Sequence, residues 1–200
     1  MVTVAPKIWT VEEFLALPDD GRSRELIYGR MMIDGRFEDE TDEEGEPVTI
    51  RNLPHSETMA NIATELNNWR RLLPAPRGTV VCGEAGVRLP SNPPAVVGVD
   101  VAYVPAPVLA QRTGRSTIIE GVPALIAEIL SPSNTTAEID DRLDLFTEIG
   151  VPLVWVANPR RRTVTVYRLG EAPVMVNAAQ ELDGGDVLPG FRCPVVRLFE

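Results

Sequence analysis

The chain is poor in several residue types that would carry familiar chemistry. Its 200 residues include one lysine, Lys7, one histidine, His55, and two cysteines. Cys82 and Cys193 lie far apart with no CxxC neighbour, which supports neither a disulfide framework nor a cysteine zinc site. No apolar run approaches the roughly 18 residues that a membrane helix needs. The N-terminal stretch turns directly from Lys7-Ile-Trp-Thr10 into the acidic Val11-Glu-Glu-Phe14, without the apolar core and cleavage site of a signal peptide, so a cytoplasmic location is expected. There is no P-loop, no dinucleotide fingerprint and no GxSxG motif.

What is present is ordinary globular composition, 44% hydrophobic and 24% charged, at a length that suggests one domain over residues 1–200. The net charge of −10, from 19 basic and 29 acidic residues, argues at first against a nucleic-acid partner. Seven of those acids fall in one run, Glu38-Asp-Glu-Thr-Asp-Glu-Glu-Gly-Glu46, and the remainder, 19 bases against 22 acids, is close to balance. The run reads as a solvated, mobile insertion at about residues 37–47 between two strands. With a single lysine in the chain, any task usually given to lysine falls to arginine.

Thr10 and Glu13 make a capping box, with Trp9 and Phe14 as its hydrophobic staple, so a short helix begins at residue 11. Residues 25–33 read as strand, kinked or turned near Gly29. Met59, Ile62, Leu66, Trp69 and Leu73 recur at intervals of three and four, one apolar helix face starting near His55 or Ser56 and stopping before Pro74. Strands are predicted over 79–89, 96–104 and 123–130, the last two apolar nearly throughout and therefore central. Thr135 and Glu138 form a second capping box, opening a helix that runs to Gly150. Strands follow at 151–157 and 163–168, with an edge strand at 174–176. The succession predicts an α/β (α+β) mixed sheet with helices packed on it.

Two carboxylates interrupt the central strands: Asp100 within Val96-Val-Gly-Val-Asp-Val-Ala-Tyr-Val104, and Glu128 within Ala124-Leu-Ile-Ala-Glu-Ile-Leu130. A buried carboxylate protonates or acquires a partner. At about 4 Å and an effective dielectric near 20, two of them repel by roughly 4 kcal/mol, which an intervening Mg²⁺ or Mn²⁺ reverses. On the 135–149 helix, Asp140, Asp144 and Glu148 share one stripe at about 100° per residue, while Arg142 lies opposite, among Ile139, Leu143, Leu145, Phe146 and Ile149. An inward cation beside two inward anions suits a metal-dependent phosphodiester hydrolase. A structural ion cluster would leave the same trace in the sequence. His55 could touch phosphate or assist proton transfer, or simply cap or pack the helix start. Arg160, Arg161 and Arg162 sit in a hairpin turn, as a solvated tip or a phosphate contact.

The pattern resembles the Uma-two family of the PD-(D/E)xK restriction-endonuclease-like superfamily over most of the chain. The resemblance rests on Arg24-Glu-Leu-Ile-Tyr-Gly29, His55, Val99-Asp-Val-Ala-Tyr-Val104, Ala127-Glu-Ile-Leu-Ser-Pro-Ser133, Arg142-Leu-Asp-Leu-Phe146, Gly150-Val-Pro-Leu-Val-Trp-Val156 and Asn158-Pro159. It implies an αβββαβ nuclease core with flanking helices and added C-terminal strands. Asp100 and Glu128 are the implied metal ligands, with Glu25 a further acid at the site. It further implies Mg²⁺ or Mn²⁺ as cofactor, DNA as partner and a homo-oligomer, a dimer first among these. The chain departs from the family pattern at Val99, where proline usually precedes the aspartate. It departs again at Leu130, where the superfamily lysine would stand; in this family that lysine has moved to the following helix, at the position of Arg142. Arginine keeps the charge and grips phosphate but does not deprotonate to act as a base. A nuclease-fold protein that binds nucleic acid or another protein without cutting is therefore the rival reading.

Overall fold

A computed structural model describes residues 7–18, 24–33, 36–38, 52–112, 116–131 and 134–200. The acidic run lies almost wholly outside them. In chain order the elements are α1 (Val11–Leu15), β1 (Arg24–Ile27), β2 (Arg30–Ile33), β3 (Arg36–Phe37), α2 (Leu53–Leu72), β4 (Thr79–Leu89), β5 (Ala95–Val104), α3 (Ala106–Leu109), β6 (Ile119–Glu120), β7 (Leu125–Ile129), α4 (Thr136–Glu148), β8 (Leu153–Asn158), β9 (Thr163–Arg168), β10 (Val174–Asn177), β11 (Glu181–Asp183) and β12 (Arg192–Pro194). A 3₁₀ turn over Val195–Phe199 ends the chain.

Both capping boxes form, Thr10 with Glu13 on α1 and Thr135 with Glu138 on α4. The long helix α2 starts two residues earlier than its apolar spacing indicates. Asn52 is the N-cap, accepting the His55 backbone N–H at 3.0 Å, and Pro54 occupies the first turn, where it has no helical hydrogen bond to lose.

Among the described residues β1 to β10 join in one mixed sheet, in the order β10-β9-β8-β7-β5-β1-β2-β3, with β4 on the other edge of β5 and β6 beside β4, while β11 and β12 pair as a separate two-stranded sheet. The unit β7–α4–β8 is a parallel crossover, its two strands aligned from Leu125↔Leu153 to Ile129↔Ala157, and β4 and β6 also pair in parallel. Helix α2 covers one face. Its Ile62, Leu66 and Trp69 pack on Val101, Leu125, Ala127 and Trp155, and Leu182, Leu188, Phe191 and Leu198 from the C-terminal hairpin and turn close the same cluster. Helix α4 covers the other face with Leu145 and Phe146 against Val97, Val99, Ile126 and Val154. A fully buried side chain such as Leu66 or Phe146 contributes about 1.5–3 kcal/mol to this three-layer packing.

Two irregularities on β5 make room for a site. Along one edge of β5, β4 pairs from Leu89↔Ala95 to Thr79↔Val104, so β1 and β7 share the opposite edge. Strand β1 meets β5 at Leu26↔Val96 and β7 meets it from Val101↔Ala127 onward, which opens a fork between them at residues 97–100. Opposite this fork β4 bulges between Cys82 and Ala85, at Gly83 and Glu84, both with positive φ. The side-chain alternation of β5 slips there as well: Val97 and Val99 join the α4 cluster, Val101 and Tyr103 the α2 cluster. Asp100 stands at the slip.

Candidate active site

Gly98 pairs with Gly86 of β4 on one edge, but on the fork side its N–H and carbonyl meet no strand, and side chains take its place. Glu25 Oε1 accepts the Gly98 N–H at 2.9 Å, and Arg142 Nη2 donates to the Gly98 carbonyl at 2.6 Å. A part-buried backbone N–H and carbonyl are thus satisfied by an acid from β1 and a cation from α4. Arg142 Nη1 donates to both oxygens of Glu25 at 2.8 Å, and Nη2 also donates to Glu128 Oε1 at 2.7 Å. The guanidinium is 5.7 Å from the centre of the Phe146 ring, one turn further along α4, while Asp140, Asp144 and Glu148 face solvent as their spacing implies.

Just beyond the Val101↔Ala127 pair, Asp100 and Glu128 are neighbours on adjacent strands: the Asp100 side chain reaches the N–H of Ile129, the residue after Glu128, and its charge acts on the Glu128 carboxyl. Asp100 Oδ2 accepts two hydrogen bonds, from the Ile129 N–H at 2.8 Å and from His55 Nε2 at 3.2 Å. His55, Glu25, Asp100 and Glu128 are all buried. Burial pushes the Glu128 carboxyl up to about 7, with Asp100 and Glu25 adding to the rise and Arg142 opposing it. Burial works against the Arg142 charge, but Glu128 and Glu25 outweigh it and hold the guanidinium above its ordinary pKa.

Five residues singled out in the sequence therefore meet: Glu25, His55, Asp100, Glu128 and Arg142. His55 is 1% exposed, so it reaches the cluster through Asp100 and has no surface to offer a phosphate. Arg160, Arg161 and Arg162 do not join. They are exposed in the β8–β9 turn, just beyond the end of β8 that lies alongside Ile129. Sequence reasoning missed Gly98 and Glu84. A Cβ on residue 98 would lie 2.8 Å from Glu84 Oε2 and 3.5 Å from Glu25 Oε1, so both carboxylates reach over a backbone that only glycine leaves bare. The available signal was Gly83 inside a strand pattern, which marks a bulge. Beside Glu25 opens a cavity of about 270 Å³, lined by Phe14, Leu15, Arg24, Glu84, Val97 and Ile118 among others.

A model of the family described as "Putative restriction endonuclease", Uma2, matches residues 11–196. The chain belongs to the Uma2 family. A crystal structure of "a putative nuclease belonging to DUF820" from Anabaena variabilis ATCC 29413 superposes with a TM-score of 0.71 at 18% identity, covering 95% of this chain and 97% of that one. That similarity establishes the restriction endonuclease-like fold. A search of curated proteins found no match. Within the Uma2 frame, the mixed sheet and its β7–α4–β8 crossover bring together the acids that the resemblance pointed to. No helix among the described residues is long and apolar enough to cross a membrane.

The fold family implies a divalent metal, and the donor set decides whether these residues suit one. Among the described residues no three His, Cys, Asp or Glu side chains converge as a ready-made cage. Asp100 Oδ1 and Glu128 Oε2 have no hydrogen-bond partner there, and neither is sealed from solvent. Glu25, Asp100 and Glu128 outnumber the Arg142 guanidinium that pairs with two of them. Two neighbouring acids, each with one oxygen that accepts no hydrogen bond, fit a hard cation such as Mg²⁺, which keeps several of its own waters.

Proposed function

We propose that this protein is a metal-dependent endonuclease that hydrolyses DNA phosphodiester bonds, with Asp100 and Glu128 holding the divalent ion, Mg²⁺ or Mn²⁺. The observation that carries this reading is the pair of buried neighbouring acids, Asp100 and Glu128, each keeping one oxygen free of hydrogen bonds, in a chain of the Uma2 family. A bound divalent ion supplies a nucleophilic water and charge stabilisation at the phosphate.

The chain's own residues do the rest. Asp100 is fixed through Oδ2, so only Oδ1 is available to a ligand. Arg142 spends its four terminal N–H bonds on Glu25, Glu128 and the Gly98 carbonyl. It holds the acids in place rather than gripping phosphate. Glu25 accepts from Arg142 and the Gly98 N–H and anchors that clamp. The exposed Arg160, Arg161 and Arg162 are the cations suited to the DNA backbone, which matters on a chain of net charge −10.

The commitment of all four terminal N–H groups of Arg142, with its Nε buried, favours a second reading, a nuclease fold that binds without cutting. The position two residues after Glu128 is Leu130, and Arg142 supplies charge but no base. A plasmid-nicking assay at low salt with Mg²⁺ or Mn²⁺ separates the two. The wild type should cut, Asp100→Asn and Glu128→Gln should not, and Arg142→Lys should retain or raise the rate. Silence from wild type together with cleavage by Arg142→Lys would mark a degenerate nuclease, and silence from both would favour the binding module.

A further inference from the structure

We propose that His55 is the positioning residue for Asp100, its Nε2–H holding Oδ2 so that Oδ1 is the oxygen presented to a cation. The role given to Oδ1 rests on the metal reading above; the contact between the two side chains does not.

His55 is the third residue of α2, and Asn52 caps that turn by accepting the His55 backbone N–H. The cap fixes where the imidazole enters the sheet. The ring is 1% exposed and the Asp100 side chain 6%, with Nε2 and Oδ2 3.2 Å apart. The other ring nitrogen, Nδ1, is buried with no hydrogen-bond partner.

That orphan selects the tautomer. With the proton on Nδ1, a buried donor would have no acceptor, and the Nε2 lone pair would face a carboxylate oxygen. With it on Nε2, the donor meets Oδ2 and only an acceptor is left over. The proton position follows from the hydrogen-bond network.

Oδ2 then receives two donors, the Nε2–H and the Ile129 N–H at 2.8 Å, which fill its lone pairs and stop the carboxylate from rotating. Without the imidazole one donor would remain, and a carboxylate held at a single point turns about its own axis. A histidine that merely packed or capped α2 would be replaceable without effect on Oδ1. A positioning histidine is replaceable only by another donor.

His55 is the single histidine of the chain, so in tag-free protein every imidazole signal belongs to it. Long-range ¹H–¹⁵N spectra should show a protonated Nε2 and an unprotonated Nδ1, with the Nε2 signal shifting in Asp100→Asn. Mn²⁺ titration by calorimetry should show His55→Ala weaker than wild type by about 10–100-fold, the usual loss when the group behind a metal ligand is removed. His55→Gln, whose amide reaches towards Oδ2, should recover most of that affinity.

Unchanged affinity in His55→Ala, no recovery by a folded His55→Gln, or a ring with no proton on Nε2 would each overturn the positioning role. Should His55→Ala not fold, the wild-type spectrum and His55→Gln still decide it. A wild type that binds no Mn²⁺ would overturn the metal reading and with it the task given to Oδ1, while the spectrum would still report whether His55 donates to Asp100.

Discussion

Arg142 and Glu25 are joined at 2.8 Å through both carboxylate oxygens, across the fork where β1 and β7 part from β5. The same guanidinium reaches Glu128 and the Gly98 carbonyl, so one α4 side chain ties together β1, β5 and β7. The arrangement closes a gap in the sheet and neutralises part of a buried acid cluster.

Removing that cation should be expensive. Arg142→Ala leaves Glu25 and Glu128 buried without their partner and the Gly98 carbonyl unpaired, a loss of about 3–5 kcal/mol by the usual cost of breaking a buried pair. Arg142→Lys keeps the charge, but three N–H groups on one nitrogen do not reach all four acceptors, and a loss of about 1–3 kcal/mol is expected. Urea unfolding measures both. An alanine variant within about 1 kcal/mol of wild type would show that the clamp is not structural.

The raised Glu128 carboxyl gives stability a definite pH dependence. From about pH 4.5, the ordinary value of a glutamate, to about 7, the folded protein keeps a proton that the unfolded chain releases. Where the folded state binds more protons, unfolding free energy falls as pH rises. The penalty is absent below about 4.5, grows through that window and is complete above 7; a span of that width corresponds to about 3 kcal/mol. Glu128→Gln lacks the titrating group, so its stability relative to wild type should rise between pH 4.5 and 8. A flat difference across this range would show that Arg142 holds Glu128 ionised throughout.

Much of this arrangement was legible in the sequence because local rules and tertiary packing agree. Thr10 and Thr135 cap the helices that their spacing to glutamate announces, and the apolar spacing of α2 buries Ile62, Leu66 and Trp69. Asp100 and Glu128 were visible as polar breaks in apolar strands, and Arg142 as a cation on an apolar arc. Glu84 and Gly98 were not. Their proximity depends on the β4 bulge and on the separate departure points of β1 and β7, which are long-range pairings without a periodic trace. His55 could be placed before a helix but not inside the core, since the partner that accepts its hydrogen bond is 45 residues away. The C-terminal hairpin, β11 with β12, was equally hidden. It is three residues per strand, and what holds it is the packing of Leu182 and Cys193 under α2 rather than a local signal.

Gly98→Ala probes the missed pair. The new Cβ would come within 2.8 Å of Glu84 Oε2, closer than real contacts allow, and within 3.5 Å of Glu25 Oε1, an ordinary contact. Glu84 is exposed on the bulge, and the clash falls on the far end of its side chain rather than on backbone, the less costly case. Restricting the unfolded chain recovers about 0.4–1 kcal/mol. The net change in unfolding free energy should stay within about 1 kcal/mol, and a loss above about 2 kcal/mol would show Glu84 to be fixed over the site.

Glu25 and Asp100 should differ sharply as cation ligands, although both are buried acids of one cluster. Both Glu25 oxygens are engaged by Arg142, and Oε1 also by the Gly98 N–H. Asp100 carries its two donors on Oδ2 alone and leaves Oδ1 free. Glu25→Gln therefore removes no oxygen that an ion would use; it loosens the clamp by replacing one charged acceptor with an amide donor facing the guanidinium. Asp100→Asn removes charge at the ligand itself. Mn²⁺ titration should show a smaller loss of affinity for Glu25→Gln than for Asp100→Asn, while urea unfolding should show the reverse order in stability, since Glu25 and not Asp100 pairs with Arg142. An equal or larger loss of Mn²⁺ affinity in Glu25→Gln would place Glu25 among the ligands and require Arg142 to release it when the ion binds.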